Sequence, residues 1–450
     1  MRLKLLTVAL ALAACPMLVQ AEDLLDAYRQ ARANDPVLSQ ADSTRLATGE
    51  TVVQSRALLL PQVNGQVGVS QSQIAGPTPS EDGSVPDTGH SRSRTLSANL
   101  SQTVFDYSKI ANLQAAHSQL RAQDATYEAA LQALATRVTT AYFTVLTSDD
   151  ALTFAKANEQ ALSRQLEQAQ QRFDVGLSAI TDVQDAKAQH DTAVAQVITA
   201  QNTLADAREA LTQITGAPAD NLKKLREDLP MDPPSPNDAK AWVDTAVQTS
   251  PTIAAAQYTV ESSEHSITAA RAGHLPTLEA SASYGKTTSW DQNRTPASDA
   301  INRALGSGRG QTTVGLTLNV PIFSGGATQS LVRQSIYQRD SAQDSLEATR
   351  RGVVRSTLNF FRSVVAGISE VEATKAAVIS AQSARDATQA GFEVGTRTIV
   401  DVLIAQQNLT QAQSNYSLAR HQFILNKLLL KQTAGNIDVK DLEAANALLQ

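Results

Sequence analysis

Residues 173–183 read FDVGLSAITDV, and residues 392–402 read FEVGTRTIVDV. The same frame, Val-Gly, five residues, Asp-Val, therefore occurs twice in one chain, and such self-similarity marks a duplicated structural unit. Outward from these stretches the echo continues. RALLLP at 56–61 answers RAGHLP at 271–276, and Asp35-Pro36 answers Ser250-Pro251. Two copies follow, 22–216 and 239–435. They are joined by a Pro-rich connector at 217–238 that holds Pro218, Pro230, Pro233, Pro234 and Pro236, and a terminal segment follows at 436–450.

The flanks of each frame are helical in pattern. From Tyr107 to Val175 there is neither Gly nor Pro, and at 1.5 Å per residue an unbroken helix of that span runs on the order of 100 Å. Leu152, Ala155, Glu159, Leu162, Leu166, Ala169 and Phe173 step by three and four, a heptad seam with one charged member. Past Gly176 the chain turns back. Val183, Ala186, His190, Ala193, Val197, Ala200, Leu204, Ala207, Leu211 and Ile214 keep the stepping, and the second copy answers from Val402 and Ala405 through Leu430 and Thr433. Each frame is thus the tip of an antiparallel coiled-coil hairpin, with Gly176 and Gly395 at the turns. A surface facing a water-filled lumen and a solvated rod both fit the Gln-, Asn-, Ser- and Thr-rich exterior.

Upstream, each copy carries a short helix (23–33; 239–249), a longer one opened by Pro, and two segments alternating with period two. Leu278, Ala280, Ala282 and Tyr284, then Val314, Leu316, Leu318, Val320 and Ile322, take every second place in the second copy. Val63, Val67 and Val69, then Leu96, Ala98 and Leu100, do so in the first. The expected strands are 62–72, 95–105, 277–287 and 312–323, with polar loops at 73–94 and 291–310. A solvated sheet on helices is one reading. Strands with lipid on one side and water on the other is the second, and it requires several chains, because four strands cannot close and an open edge in lipid strands its backbone groups.

Composition supports length over compactness. In 450 residues there are 21 Gly, 15 Pro and 4% aromatics, too few breakers for a loop-rich domain, although length alone suggests about three serial domains. A net charge of −6 and no basic block argue against nucleic acid. Residues 1–21 read as a secretory signal, with Arg2 and Lys4 before an apolar run and Val19-Gln20-Ala21 as the cleavage site. Cys15, the one cysteine, lies inside it, where Leu12-Ala13-Ala14-Cys15 also resembles a lipoprotein box. Enzyme motifs are missing: the six His form no H-E-x-x-H, no phosphate-loop or G-x-S-x-G signature occurs, and Gly306-Ser307-Gly308-Arg309-Gly310 falls in an expected hairpin loop. His190 and Glu159 read as packing or register features of the seam.

The start EDLLDAYRQARANDP, the duplicated Leu-Pro strand units, RFDVGLSAITDVQDAKAQHDT, ALTQITG, GHLPTL, VPIFSGG and GFEVGTRTIVDVL together resemble the TolC family of outer-membrane channels of Gram-negative bacteria. The likeness spans nearly the whole mature chain. It implies a mainly α fold with a β-barrel contribution: a homotrimer whose four strands per chain make a 12-stranded barrel, continued by a 12-helix α-barrel of coiled coils and a mixed equatorial belt. It implies an exit duct for drugs, detergents or unfolded proteins and no cofactor. The partners implied are outer-membrane lipid, a periplasmic adaptor (membrane fusion) protein and an inner-membrane RND, ABC or MFS pump. A periplasmic coiled-coil scaffold or adaptor that forms no channel is the competing class.

By position the resemblance places a gate at Asp182, Arg397 and Phe392, with Arg397 pairing Asp182 across coils, and an acidic ring at Asp401. Two departures stand out. Phe392 lacks the Tyr hydroxyl often found in the family, and Ile404 stands where a second Asp is common. Its repeat equivalent, Asp185, is acidic, so Asp401 and Asp185 are expected to share the constriction with Ile404 beside them. Without the resemblance, Arg397 and Asp182 read as solvated charges worth ~0–1 kcal/mol as a pair. Val175, Gly176, Leu177, Val394, Gly395 and Thr396 are the expected adaptor contacts, since apolar residues at an exposed tip need a partner.

Overall fold

The computed structural model describes residues 23–73, 90–219, 221–291 and 310–450. The signal segment with Cys15, most of both polar loops and the Gly-rich 306–309 lie outside them. The chain is mostly helical with one small sheet. In order it forms α1 (Leu24–Asn34), α2 (Pro36–Ala57), β1 (Gln62–Gln73), β2 (His90–Phe105), α3 (Tyr107–Asp174) and α4 (Ile180–Thr215). The second copy gives α5 (Ala239–Thr249), α6 (Pro251–Arg271), β3 (Thr277–Asp291), β4 (Gly310–Asn319), α7 (Ala327–Glu393) and α8 (Ile399–Thr433), and α9 (Val439–Asn446) ends the chain. Six elements thus recur in the same order.

The first echo has a local cause. Asp35 and Ser250 each close one helix, their N–H groups donating to Ala31 and Ala246 at 2.8 and 3.1 Å. Each is followed by Pro at the first position of the next helix, where the missing N–H costs nothing. Asp35 also accepts from Leu38 N at 2.8 Å and from Arg137 at 2.6 Å.

The chain divides into two compact units, and each draws on both copies. One holds residues 44–124 and 255–346. Its sheet is antiparallel in the order β1-β2-β3-β4, so β1 and β4 are its outer strands. The register joins Val63 to Leu100, Leu100 to Ala282 and Ala282 to Val314, so one apolar row crosses all four strands on a single face. That face is bare: Val63 is 71% exposed and Val314 78%. β2 and β3 run beyond the expected strands, to His90 and Asp291. β4, expected to reach 323, stops at Asn319. Pro321 has no N–H to give a ladder, and Ile322 and Phe323 stand out into the open at 95% and 89% exposed. In the same unit Arg121 pairs with Glu261 at 2.6 Å, and Ser262 Oγ donates to Ala115 O at 3.1 Å.

The other unit holds α3 from residue 125 with α4, α7 from residue 347 with α8, and one large core. Leu24 and Tyr28 of α1, Trp242 of α5 and Leu442 of α9 pack there with Leu134, Val138 and Tyr142 of α3, Leu211 of α4, Val364 of α7, and Phe423 and Leu430 of α8. The connector is pinned to the chain end: Lys224 and Gln450 exchange backbone hydrogen bonds at 3.1 and 2.8 Å, and Arg226 N donates to Leu448 O at 3.0 Å. Between the hairpin bases His421 is 4% exposed, its Nδ1 2.8 Å from Thr147 Oγ1 and its ring tilted against Phe143. Burial pushes its pKa down to about 4, against the pull of the Asp150 carboxylate. Asp150 in turn accepts from Ser417 Oγ at 2.5 Å. Among the described residues no helix is long and apolar enough to cross a membrane.

Candidate functional site

Much of both hairpin seams is buried, and the remaining members are half-buried apart from Phe173. Val183, Ala186, Ala193, Leu204, Ala207 and Leu211 are buried along α4, and Val402, Leu409, Ala419, Phe423 and Leu430 along α8. The charged seam member finds a partner within its own hairpin, where His190 Nε2 lies 3.2 Å from Glu159 Oε1. Near the tips Phe392 joins a small cluster of Leu162, Ala193, Ile399 and Leu403, while Ala169, Val183 and Ala186 form another with Leu166. Phe173, the last member of the first seam, is 37% exposed.

The two tips leave their first helices identically. Gly176 N donates to Phe173 O at 2.9 Å and Leu177 N to Arg172 O at 2.7 Å. In the second tip Gly395 N donates to Phe392 O at 3.1 Å and Thr396 N to Gly391 O at 2.8 Å. This pair of bonds is the Schellman closure, which needs a left-handed residue at its turn. Gly176 and Gly395 supply it at φ +75° and +80°.

They enter the next helix differently. Ala179 stands at the first N-cap without a side-chain hydrogen bond. At the second, Thr398 Oγ1 accepts from Asp401 N at 3.2 Å and donates to Asp401 Oδ2 at 2.9 Å, while Thr398 N donates to the same oxygen at 2.9 Å. This reciprocal capping box satisfies two orphan helix donors. Those bonds, the backbone one first, with Arg397 nearby, hold the Asp401 carboxyl below the usual carboxylate range. The expected ring residue is thus already engaged within its own turn. The signal was present in the sequence: Thr398-x-x-Asp401 against Ala179-x-x-Asp182.

The expected gate pair does not close inside this chain. Among the described residues Asp182 has no ion-pair or side-chain hydrogen-bond partner, and Arg397 folds back instead. A Cβ placed on Gly391 would meet Arg397 Cγ at 2.8 Å, and Arg397 N donates to Gly391 O at 3.2 Å. Asp185 is exposed on α4, and Ile404 is 51% exposed on α8. The apolar tip residues stand in solvent, Val175 at 70%, Leu177 at 71% and Val394 at 76%, and Thr396 is exposed beside them. No pattern in the sequence singles out Arg172. Its guanidinium carbon lies 4.7 Å from the centre of the Phe392 ring, so it bridges the two hairpins.

Comparison with known proteins repeats the duplication. The family model "Outer membrane efflux protein" matches twice, at residues 27–217 and 242–436. The chain is 37% identical over 446 residues to the outer membrane protein TolC of Escherichia coli K12, covering 98% of this chain and 88% of that protein. It is 28% identical over 428 residues to the alkaline protease secretion protein AprF of Pseudomonas aeruginosa, covering 94% and 86%. The CmeC outer membrane channel of Campylobacter jejuni superposes with a TM-score of 0.77 at 16% identity, covering 95% of this chain and 90% of that one. VceC of Vibrio cholerae superposes with a TM-score of 0.73 at 20% identity, covering 92% and 96%.

Proposed function

The chain belongs to the outer membrane efflux protein family, and from that membership we propose that three copies form one continuous duct whose closed end lies at the hairpin tips. The chain is an exit channel for efflux and type I secretion, placed in the outer membrane and reaching into the periplasm. It is a transport duct rather than an enzyme, and such channels work within tripartite efflux and secretion systems. The observation that carries this reading is the 37% identity to TolC across 98% of the chain.

The sheet favours a trimer. Its apolar face lies open, and among the described residues β1 and β4 each have an edge with no further strand beside it. In lipid such edges leave backbone groups unsatisfied, so β4 of one copy pairs with β1 of the next until twelve strands close. The 10 to 16 residues of these strands are enough to cross hydrocarbon, which takes ~9–11 tilted residues. The helical hairpins pool in the same way into twelve helices.

At the tips, Arg397 and Asp182 meet across neighbouring hairpins in the resting channel, and Phe392 packs beside them. Asp401, Asp185 and Ile404 line the narrowest passage, where converging carboxylates favour cations. Its capping bonds leave Asp401 less free than Asp185. Val175, Gly176, Leu177, Val394, Gly395 and Thr396 receive a periplasmic adaptor, which links the duct to an inner-membrane pump and opens it.

Fractionation tests the whole reading. The protein should be recovered from outer membrane as an SDS-resistant trimer that dissociates on heating, and recovery from soluble periplasm as monomer overturns it. Single-channel recording tests the constriction: Asp185→Ala should relieve cation block more than Asp401→Ala, and no change in either variant removes both residues from the passage.

A further inference from the structure

Near their tips the two hairpins of one chain meet through few polar groups. Gln165 Nε2 donates to Gln389 Oε1 at 3.0 Å. Two turns farther along α3, Arg172 lies over the Phe392 ring at 4.7 Å. That ring is packed against Leu162, Ile399 and Leu403, so it offers a fixed face, and a cation on a fixed aromatic face is attracted by the ring quadrupole. Arg172 also sits in the last turn of α3, where the helix carbonyls favour a positive charge.

The duplication does not provide the reverse contact. The repeat equivalent of Arg172 is Gly391, and that of Phe392 is Phe173. Gly391 has no side chain, and its position is covered by Arg397 folding back. Among the described residues the cation–ring pair at the tips is therefore built on one side of the duplication alone, at the boundary between that chain's own hairpins.

We propose that Arg172 is a further gate-positioning residue: its guanidinium, seated on Phe392, holds the second hairpin of a chain against the first in the resting channel. The inference rests on the gate described under the proposed function and adds to it a hold inside each chain. Release by an adaptor must break this contact as well as any pair between Arg397 and Asp182. The boundary toward a neighbouring copy carries no such latch, because Gly391 occupies the place of the cation.

Planar-bilayer recording on the full-length channel tests it, together with the thermal stability of the trimer. Arg172→Ala and Phe392→Leu should each raise the resting open fraction about threefold to tenfold, as the loss of one cation–π contact implies. The double variant should rise no further than either single one. Phe392→Tyr, which keeps the ring and adds the hydroxyl often found at this place in the family, should lower the resting open fraction rather than raise it, and trimer stability should be unchanged throughout. The paired variant Asp182→Ala/Arg397→Ala reports on the gate itself. If it opens the channel while Arg172→Ala does not, the latch is wrong and the gate stands. If none of the variants opens it, the gate reading falls and the latch with it. Additive effects of Arg172→Ala and Phe392→Leu also overturn the latch, since the two residues would then act separately.

Discussion

The tip at 173–183 and the tip at 392–402 close their first helices with the same two backbone bonds, and they differ in how the second helix begins. At the first tip Ala179 leaves the helix start uncapped and the Asp182 carboxylate uncommitted. At the second, Thr398 and Asp401 bind each other, and Arg397 lies back over Gly391. Duplication has kept the turn and divided the labour. One copy offers a free acid, and the other stores a base beside a stiffened turn. The equivalent aspartates are therefore bonded differently, although each stands in an identical Asp-Val pair.

The broadest way to break this comparison acts on the base that both hairpins share. His421 is buried neutral between α3 and α8, facing Thr147, Phe143, Asp150 and Arg420. Its pKa falls from 6.5 to about 4 in the fold, so the folded state resists protonation. The stabilising contribution is whole above pH 6.5 and declines as pH drops below it. It is lost by about pH 4, at a cost of ~3 kcal/mol. Apparent melting temperatures of the parent and of His421→Gln, measured from pH 7 to pH 4, should converge or cross as the pH falls, because carboxylates elsewhere titrate alike in both. A constant difference across that range would mean that His421 is not the group sensing acid. Both tips should loosen together, since the damage lies at their common root.

A smaller change should strike the tips separately and equally. Gly176 and Gly395 hold the same left-handed turn, and no atom lies within 4 Å of where a Cβ would sit on either. Gly176→Ala and Gly395→Ala therefore meet only backbone strain, ~1–2 kcal/mol each. Hydrogen exchange at the Leu177 and Thr396 amides, which close the two turns, should accelerate by similar factors. A large inequality would show that one turn carries more than its own closure.

Much of this was legible in the sequence, for identifiable reasons. Tips, seams and helix starts are written in local pattern: Gly at a left-handed turn, Pro at a first helical position, apolar residues every three or four. The end of β4 was misread because Val320 and Ile322 keep the alternation past Pro321, and periodicity does not record that a ladder has lost its donor. The site was legible as a place and less so as a set of contacts. The sequence offers Asp401 as a pore carboxylate, and its three bonds with Thr398 add a capping role beside that expectation. Arg172 stays silent because its partner is 220 residues away (172 to 392) in the other copy, and no local pattern joins them.

The smallest expected effect bears most directly on the difference between the tips, because it can be run in both directions. Thr398→Ala removes the cap of α8 and should cost ~1 kcal/mol locally, while Ala179→Thr supplies the missing cap of α4 and should gain a similar amount. Hydrogen exchange over residues 399–402 and 180–183 would show the opposite signs. The two changes do not stop at stability. Ala179→Thr completes Thr-x-x-Asp at the first tip and turns Asp182 toward its own helix start, as Asp401 is turned now. A carboxylate bound there has less to offer Arg397, so the first tip should become stiffer while the resting channel becomes leakier. Those two readouts move together if stability alone decides closure, and they move apart if the free acid at the first tip is what holds the end shut. A stiffer tip with unchanged resting conductance would remove Asp182 from the gate and leave the uncapped helix start of the first copy without a role.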